Sequence, residues 1–132
     1  MHQPRPGAFA KVTLWILASP FILLSLTSVL SESAEAHARH NTAFASVAAL
    51  KSRLAFPKSF KIEGVRVTDA GAACIHYRAG DGYGGQGHAQ AVVVQGDVTR
   101  SDPRDGGRFE KTWNRQCLGQ SYDVTEAVER FF

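Results

Sequence analysis

The stretch from residue 71 to residue 94 constrains the fold most, because two runs with strand-like patterns flank a segment that is dense in glycine. In residues 73–78, Ala, Ile and Tyr alternate with Cys, His and Arg, a period of two that separates them onto opposite faces of a strand. The return run ends in three valines, residues 92–94, which is typical of a strand covered on both faces. Between the runs, Asp81-Gly82 is a turn signal and the other glycines permit positive φ angles. The stretch therefore predicts a β-hairpin with a projecting loop.

Two amphipathic segments predict helices on either side of this hairpin. Apolar residues at helical spacing indicate a first helix at about Thr42–Ala55, which Pro57 ends because proline lacks an amide hydrogen. Asp123 followed by Glu126 is a variant of the capping box. The apolar residues after it recur at the spacing of one helix face, so a last helix is predicted at about Val124–Phe131.

The remaining segments complete an α+β fold. Phe60–Thr68 alternates as a strand, but its phase shifts by one residue at Glu63–Gly64, which predicts a β-bulge. Gly96–Gly107 is polar and predicts a loop, whereas Arg108–Trp113 alternates and predicts a fourth strand at the sheet edge. We therefore expect a three- to four-stranded antiparallel sheet, covered on one face by the N-terminal and C-terminal helices.

The N-terminus carries the pattern of a targeting segment. Arg5 and Lys11 precede an uncharged apolar run, Val12–Leu30, and a small-x-small site ends at Ala36. This order predicts a signal peptide over residues 1–36 and a single exported domain, periplasmic or secreted, over residues 37–132. The apolar run is also long enough to span a bilayer, so an uncleaved inner-membrane anchor remains the alternative, and only then is membrane contact expected.

The two cysteines, Cys74 and Cys117, both fall in the part predicted to be exported. An even number of cysteines in an oxidising compartment favours one disulfide. Two free thiols or a metal pair are the alternatives. The cysteines are far apart and neither has a Cys-x-x-Cys partner, so a metal pair is the less favoured of these.

Charge and motif content exclude several function classes. The chain carries 15 Lys and Arg against 12 Asp and Glu, a net charge of +3, and the basic residues between Arg100 and Arg115 are interleaved with acidic ones. Nucleic-acid binding requires a cleaner basic stripe, so no nucleic-acid partner is predicted. There is no nucleophile elbow and no pair of carboxylates on the strands, so no catalytic residue and no cofactor are predicted.

The glycine loop is the leading candidate for a binding surface. Its backbone amides permit close approach of a ligand or an anion, and the predicted binding residues are Asp81, Tyr83, Gly84 and Gly85. The loop joins two strands and opens no helix, so it is neither a phosphate loop nor a dinucleotide fingerprint. We expect a non-enzymatic binding or envelope-associated protein whose partner or ligand is unknown.

His76 and His88 flank this loop and are the second candidate site. A hairpin centred near Gly82 places them roughly opposite each other on one face. With Asp81 nearby, they would begin a metal site, but no third histidine or glutamate accompanies them in the sequence. The sequence thus predicts no complete metal site, and a metal-binding protein or metal-dependent enzyme that uses these histidines is the alternative function.

Several short motifs between about residues 47 and 94 match those of a known family. In chain order they are Leu50-Lys51, Leu54, Pro57-x-Ser59-Phe60-Lys61, Cys74-x-x-Tyr77-x-Ala79 and Gly84-Gly85. They resemble a group of small exported bacterial proteins of unknown function, whose usual pattern is Leu-Lys-Asp-Pro-x-Ser-Phe-Lys, a strand, Cys-x-x-Tyr-x-Ala-x-Asn-x-x-Gly-Gly and an apolar strand. This chain has Phe56 where the group has Asp, and Asp81 where it has Asn. The resemblance implies an exported α+β domain and implies no activity.

Overall fold

The computed structural model describes residues 32–80, 84–101 and 107–132. The chain divides into two units, Met1–Ala36 and His37–Phe132. Only residues 32–36 of the first unit are described, so nearly all of the predicted signal peptide lies outside the described residues. None of the described helices has the length and apolar character that a membrane crossing requires.

Among the described residues, five antiparallel strands form one sheet in the spatial order β4-β3-β2-β1-β5. The predicted α+β class is therefore confirmed, but the sheet has five strands where three or four were predicted. The strands are β1 Lys61–Thr68, β2 Ala72–Gly80, β3 Gln86–Val94, β4 Asp97–Arg100 and β5 Ser121–Asp123.

In the part of the chain that the structure describes, three α-helices and one short 3-10 turn accompany the sheet. Helix α1 is described over residues 32–52, α2 covers Arg108–Gln116, α3 covers Thr125–Glu129, and the 3-10 turn is Pro57–Ser59. A single hydrophobic core lies between α1, α3 and one face of the sheet, which we call the core face. Its fully buried large side chains are Val47, Leu50, Val65, Val67, Ile75, Val93 and Val128.

The predicted central hairpin, bulge and disulfide are all confirmed. Strands β2 and β3 pair from Ala72 with Val94 to Gly80 with Gln86. The register between β1 and β2 shifts between Ile62 and Gly64, so the bulge lies where the sequence phase changes. Cys74 and Cys117 form the disulfide, with a Cα–Cα distance of 6.0 Å.

The segment between β3 and the second cysteine differs from its prediction. The predicted loop Gly96–Gly107 contains β4, because Gln95 and Gly96 both adopt positive φ and form the tight turn that hairpins favour. The predicted edge strand Arg108–Trp113 is helix α2, which lies on the sheet face opposite the core. We call this the outer face. Phe109 and Trp113 are four residues apart, so their spacing also suits one side of a helix, and the outer face offers them a surface to contact.

The first and last helices, α1 and α3, differ from their predicted bounds. Helix α1 begins before the predicted Thr42, because residues 32–41 are also helical, and alanine and glutamate in this segment are good helix formers. Helix α1 ends at residue 52, earlier than the predicted Ala55, because the carbonyls of Leu50 and Lys51 accept i+3 bonds from Arg53 and Leu54. Helix α3 is also shorter than predicted, covering Thr125–Glu129.

Candidate functional site

The part of the hairpin next to the glycine loop is the candidate site. We call it the hairpin end and define it as Arg78–Gly80 and Gly84–His88. Gly84 has a φ of +85°, in the left-handed region that glycine adopts without strain. Gly84 and Gly85, both predicted binding residues, lie here, whereas the predicted binding residues Asp81 and Tyr83 lie outside the described residues.

Ser59 fixes the last residue of β2. Its Oγ donates a hydrogen bond of 2.6 Å to the Phe56 carbonyl and accepts one of 2.7 Å from the Gly80 backbone N–H. The 3-10 turn is preorganised for this contact, because Pro57 opens it and fixes φ at its first position. Ser59 therefore ties the hairpin end to the segment after α1.

A groove borders the hairpin end on the core-face side. We call it the hairpin groove, and its volume is about 550 Å³. Leu54, after the end of α1, together with Tyr77, Ala79 and Ala89 of the sheet, contributes its apolar lining, and Gly85 and Gly87 form part of its rim. A Cβ added to Gly87 would have no heavy atom within 4 Å, so the rim is open at this residue. The groove can accept an apolar side chain of a ligand.

The two predicted histidines share the outer face but are not direct partners. Strand register pairs His76 with Gln90 and Arg78 with His88, so the histidines are offset by one pair. The side-chain amide of Gln90 donates to His76 Nδ1 over 3.2 Å. The His76 ring also contacts Trp113 of α2 edge-on, with centroids 5.3 Å apart. His76 is thus held at the border of α2, whereas His88 lies at the open end.

The bulge directs Glu63 to His88. His88 Nδ1 donates to Glu63 Oε1 over 2.7 Å, and His88 Nε2 lies 3.3 Å from Arg78 Nη2. Arg78 Nε also lies 3.7 Å from the same Glu63 oxygen. The side chains of Arg78 and His88 remain 46% and 66% exposed, so these pairs add little stability and remain accessible to a ligand.

The described side chains do not complete a metal site. Glu63, His76 and His88 line one depression of about 230 Å³ on the outer face. Even so, no group of three His, Cys, Asp or Glu residues within 32–80, 84–101 and 107–132 has the arrangement to hold a metal ion. Metal binding by the two histidines therefore stays a prediction, which metal analysis of the purified protein and of a His76→Ala, His88→Ala variant would test.

A second depression of about 590 Å³ borders α3, and two of its polar lining residues, Asp123 and Thr125, bond to each other. Asp123 Oδ1 accepts from Thr125 Oγ1 over 2.6 Å and from the Thr125 backbone N–H over 3.0 Å. These two bonds lower the pKa of Asp123, with a smaller contribution from the Arg66 charge, against an opposing effect of burial. Thr125 Oγ1 also accepts from the Val65 N–H over 2.9 Å. The region therefore joins α3 to β1.

Comparison with known proteins found no match to this chain among family models, curated proteins or solved structures. The site must therefore be judged from its own geometry. Sequence reasoning missed Glu63 and Arg78 as neighbours of His88, and it missed Leu54 as a groove residue. The bulge prediction at Glu63–Gly64 was the available signal for the first, because bulges redirect side chains.

Proposed function

We propose that this chain is a small exported binding module of the bacterial cell envelope, periplasmic or secreted, and that it has no enzymatic role. The hairpin groove is the observation that carries this proposal. It combines an apolar lining with a rim of small and polar residues, which is the usual form of a preformed ligand site. Its partner would be an envelope protein or a ligand bound at the hairpin end.

The cysteine pairing supports export. Both cysteines are joined in one disulfide, and disulfides persist in oxidising compartments such as the periplasm and the extracellular space. The signal-peptide pattern over residues 1–36 supports the same assignment.

The polar groups near the hairpin end suit binding better than catalysis. Glu63, Arg78 and His88 are bonded to one another at the surface, where water screens their charges. Catalytic electrostatics depend on groups held in a site that excludes water. Exposed groups of this kind orient a bound partner and select its charge.

A bulky side chain placed in the groove tests this proposal. Gly87→Trp should fill the groove without disturbing the fold, because open space surrounds the added Cβ. Gly119→Trp is the matched control, since Gly119 is equally open and does not line the groove. We expect chemical crosslinking in the native envelope to yield an adduct with the unmodified chain and with Gly119→Trp, and none with Gly87→Trp.

An adduct that persists in Gly87→Trp would remove the groove from consideration. Tyr83→Ala examines the predicted loop contact in the same assay, and an unchanged adduct would exclude Tyr83. The assay uses the whole chain and requires no knowledge of the partner. Circular dichroism of each variant verifies that the fold is retained.

A further inference from the structure

The first half of β3, Gln86–Gln90, has one side that is largely unpaired in the described part of the chain, and this side forms a sheet edge. Strand β4 pairs only with Ala91–Val94 of β3. The preceding residues, Gln86–Gln90, pair with β2 on one side. On the other side, only Gln90 has a described partner, Ser101.

The backbone of Gln86 and His88 faces this edge. Gln90 N–H donates to Ser101 Oγ over 2.9 Å, and the Gln90 carbonyl accepts from the Ser101 N–H over 2.9 Å, so the polar groups of Gln90 point away from β2. Backbone groups alternate in direction along a strand, and the N–H and C=O of His88 and Gln86 therefore point the same way. They offer an extended chain two donors and two acceptors.

Within residues 32–80, 84–101 and 107–132, the edge lacks the devices by which proteins commonly block unwanted pairing. Edge strands are commonly protected by proline, by lysine, by a bulge or by a covering element. Gln86–Ala89 contains neither proline nor lysine, its register with β2 is regular, and Gly87 and Ala89 are small. An added strand would therefore meet little steric obstruction from the described residues.

A strand docked here would meet different surroundings on its two faces. On the core-face side lies the hairpin groove with its apolar lining. On the outer-face side lies a cationic row, Lys61 and Arg78, which are cross-strand neighbours, and His88 is the cross-strand neighbour of Arg78 on β3. Arg78 Nη2 lies 3.3 Å from His88 Nε2, so the guanidinium extends across β3 towards the edge. Glu63 is the one carboxylate that contacts this row among the described residues.

From this arrangement we infer that the Gln86–Ala89 edge binds an extended segment of a partner protein in which apolar residues alternate with acidic ones. The inference rests on the proposed function, and it specifies the chemistry of the partner. Side chains of an added strand alternate between the faces, so every second residue enters the groove and the intervening ones face the cationic row. Backbone pairing supplies affinity, and charge complementarity with the row supplies selectivity.

Labelled synthetic peptides test this inference by fluorescence polarisation with the purified chain. The probe is an acetylated peptide of alternating valine and glutamate. One control has the same composition with the glutamates in a block, and two others replace glutamate by lysine or by glutamine. We expect the alternating glutamate peptide to bind about tenfold or more tightly than the block and lysine peptides, since only it satisfies both faces.

Two variants separate backbone pairing from charge. Gln86→Pro removes one outward N–H, which no ladder bond uses, and should weaken binding about tenfold, whereas Gln86→Ala should bind as the unmodified chain does. Arg78→Gln should remove most of the preference for glutamate over glutamine peptides. Circular dichroism of both variants checks that the sheet is intact.

Four results would overturn the inference. The first three are equal binding of the block peptide, no binding of any peptide, and unchanged binding by Gln86→Pro. A fourth is a dimer in sedimentation that Gln86→Pro dissociates, since the edge would then pair with a second copy. If the peptides fail but Gly87→Trp still abolishes the crosslinked adduct, strand addition is wrong and the binding module stands. If Gly87→Trp retains the adduct, the proposed function itself fails.

Discussion

Gly80 ends β2 at a point where a side chain would press on Ser59. A Cβ added there would lie 3.0 Å from Ser59 Oγ and 3.1 Å from Ser59 Cβ. Ser59 cannot yield easily, because its hydroxyl is engaged by Phe56 and by Gly80 itself. We expect Gly80→Ala to lower the free energy of unfolding by about 1 kcal/mol or more, measured by urea denaturation.

Gly87→Ala is the matched control for this substitution. Gly87 pairs with Ala79, and a methyl group added to it would extend into open space. We therefore expect the free energy of unfolding to stay the same or to rise slightly. In a Ser59→Gly background, Gly80→Ala should cost less than in the unmodified chain. Equal costs in the two backgrounds would show that Ser59 does not restrict this position.

Asp123 provides a prediction that depends on pH. The two bonds from Thr125 hold the pKa of its carboxyl below the ordinary value of 3.8. A carboxyl whose pKa is lower in the folded chain stabilises the fold above that ordinary value, and this contribution is lost as the pH falls through the folded value. Asp123→Asn should therefore be less stable than the unmodified chain near neutral pH, and the difference should shrink as the pH falls below 3.8 and through the lower pKa of the folded carboxyl.

Urea denaturation at several pH values measures this difference. Glu126→Gln is a suitable control, because Glu126 is exposed and its described partner is Arg130 on the same helix. If the loss in the free energy of unfolding caused by Asp123→Asn stays constant into the acid range, the charge of Asp123 is not the stabilising group.

At the scale of elements, α2 is the helix whose packing is most easily tested. None of its residues is fully buried, and it meets the sheet through Trp113 and the adjoining disulfide. Trp113→Ala removes the contacts with the His76 and Phe109 rings, and we expect a loss of about 1–2 kcal/mol in the free energy of unfolding.

Leu118→Ala is the control for that experiment, since Leu118 is 70% exposed and should change stability by less than about 0.5 kcal/mol. Equal effects of the two substitutions would show that Trp113 does not hold α2 on the sheet. Far-UV circular dichroism during denaturation follows the loss of both helix and sheet.

Patterns within one element were readable from the sequence, and patterns that depend on a neighbour were not. The alternation in β2 and β3 and the phase shift at Glu63–Gly64 were sufficient to predict the hairpin and its bulge. In Arg108–Trp113, Phe109 and Trp113 suit a strand or a helix equally, and the outer face of the sheet decides between them. Strand β4 has only four residues, and its signal was the Gln95-Gly96 turn after three valines.

The same distinction explains which parts of the site were predictable. The glycine loop and the two histidines were evident from residue types alone. Their true register depends on where the turn centres, and it pairs His88 with Arg78. The hairpin groove requires Leu54, which comes from a different element than the strands that form its opposite wall.

At the scale of the whole molecule, one covalent bond links the sheet to α2. The cysteines are 43 residues apart, and closing a loop of this size contributes about 4 kcal/mol in the chain-entropy model. A Cys74→Ala, Cys117→Ala variant should lose roughly that amount, which is a large fraction of the stability of a small domain. Urea denaturation of the variant, with the oxidised chain as reference, measures the loss. A change below about 1 kcal/mol would show that noncovalent packing suffices.

The disulfide has a consequence for the order in which export and folding take place. The Cys74 side chain lies on the outer face and is nearly inaccessible, so the bond must form before or as α2 closes over that face. If the chain is exported as proposed, the newly made precursor passes through a reducing cytosol without its crosslink. Without the disulfide the precursor would be less stable and easier to translocate in an unfolded state. Oxidation after translocation would then stabilise the folded domain and oppose its return.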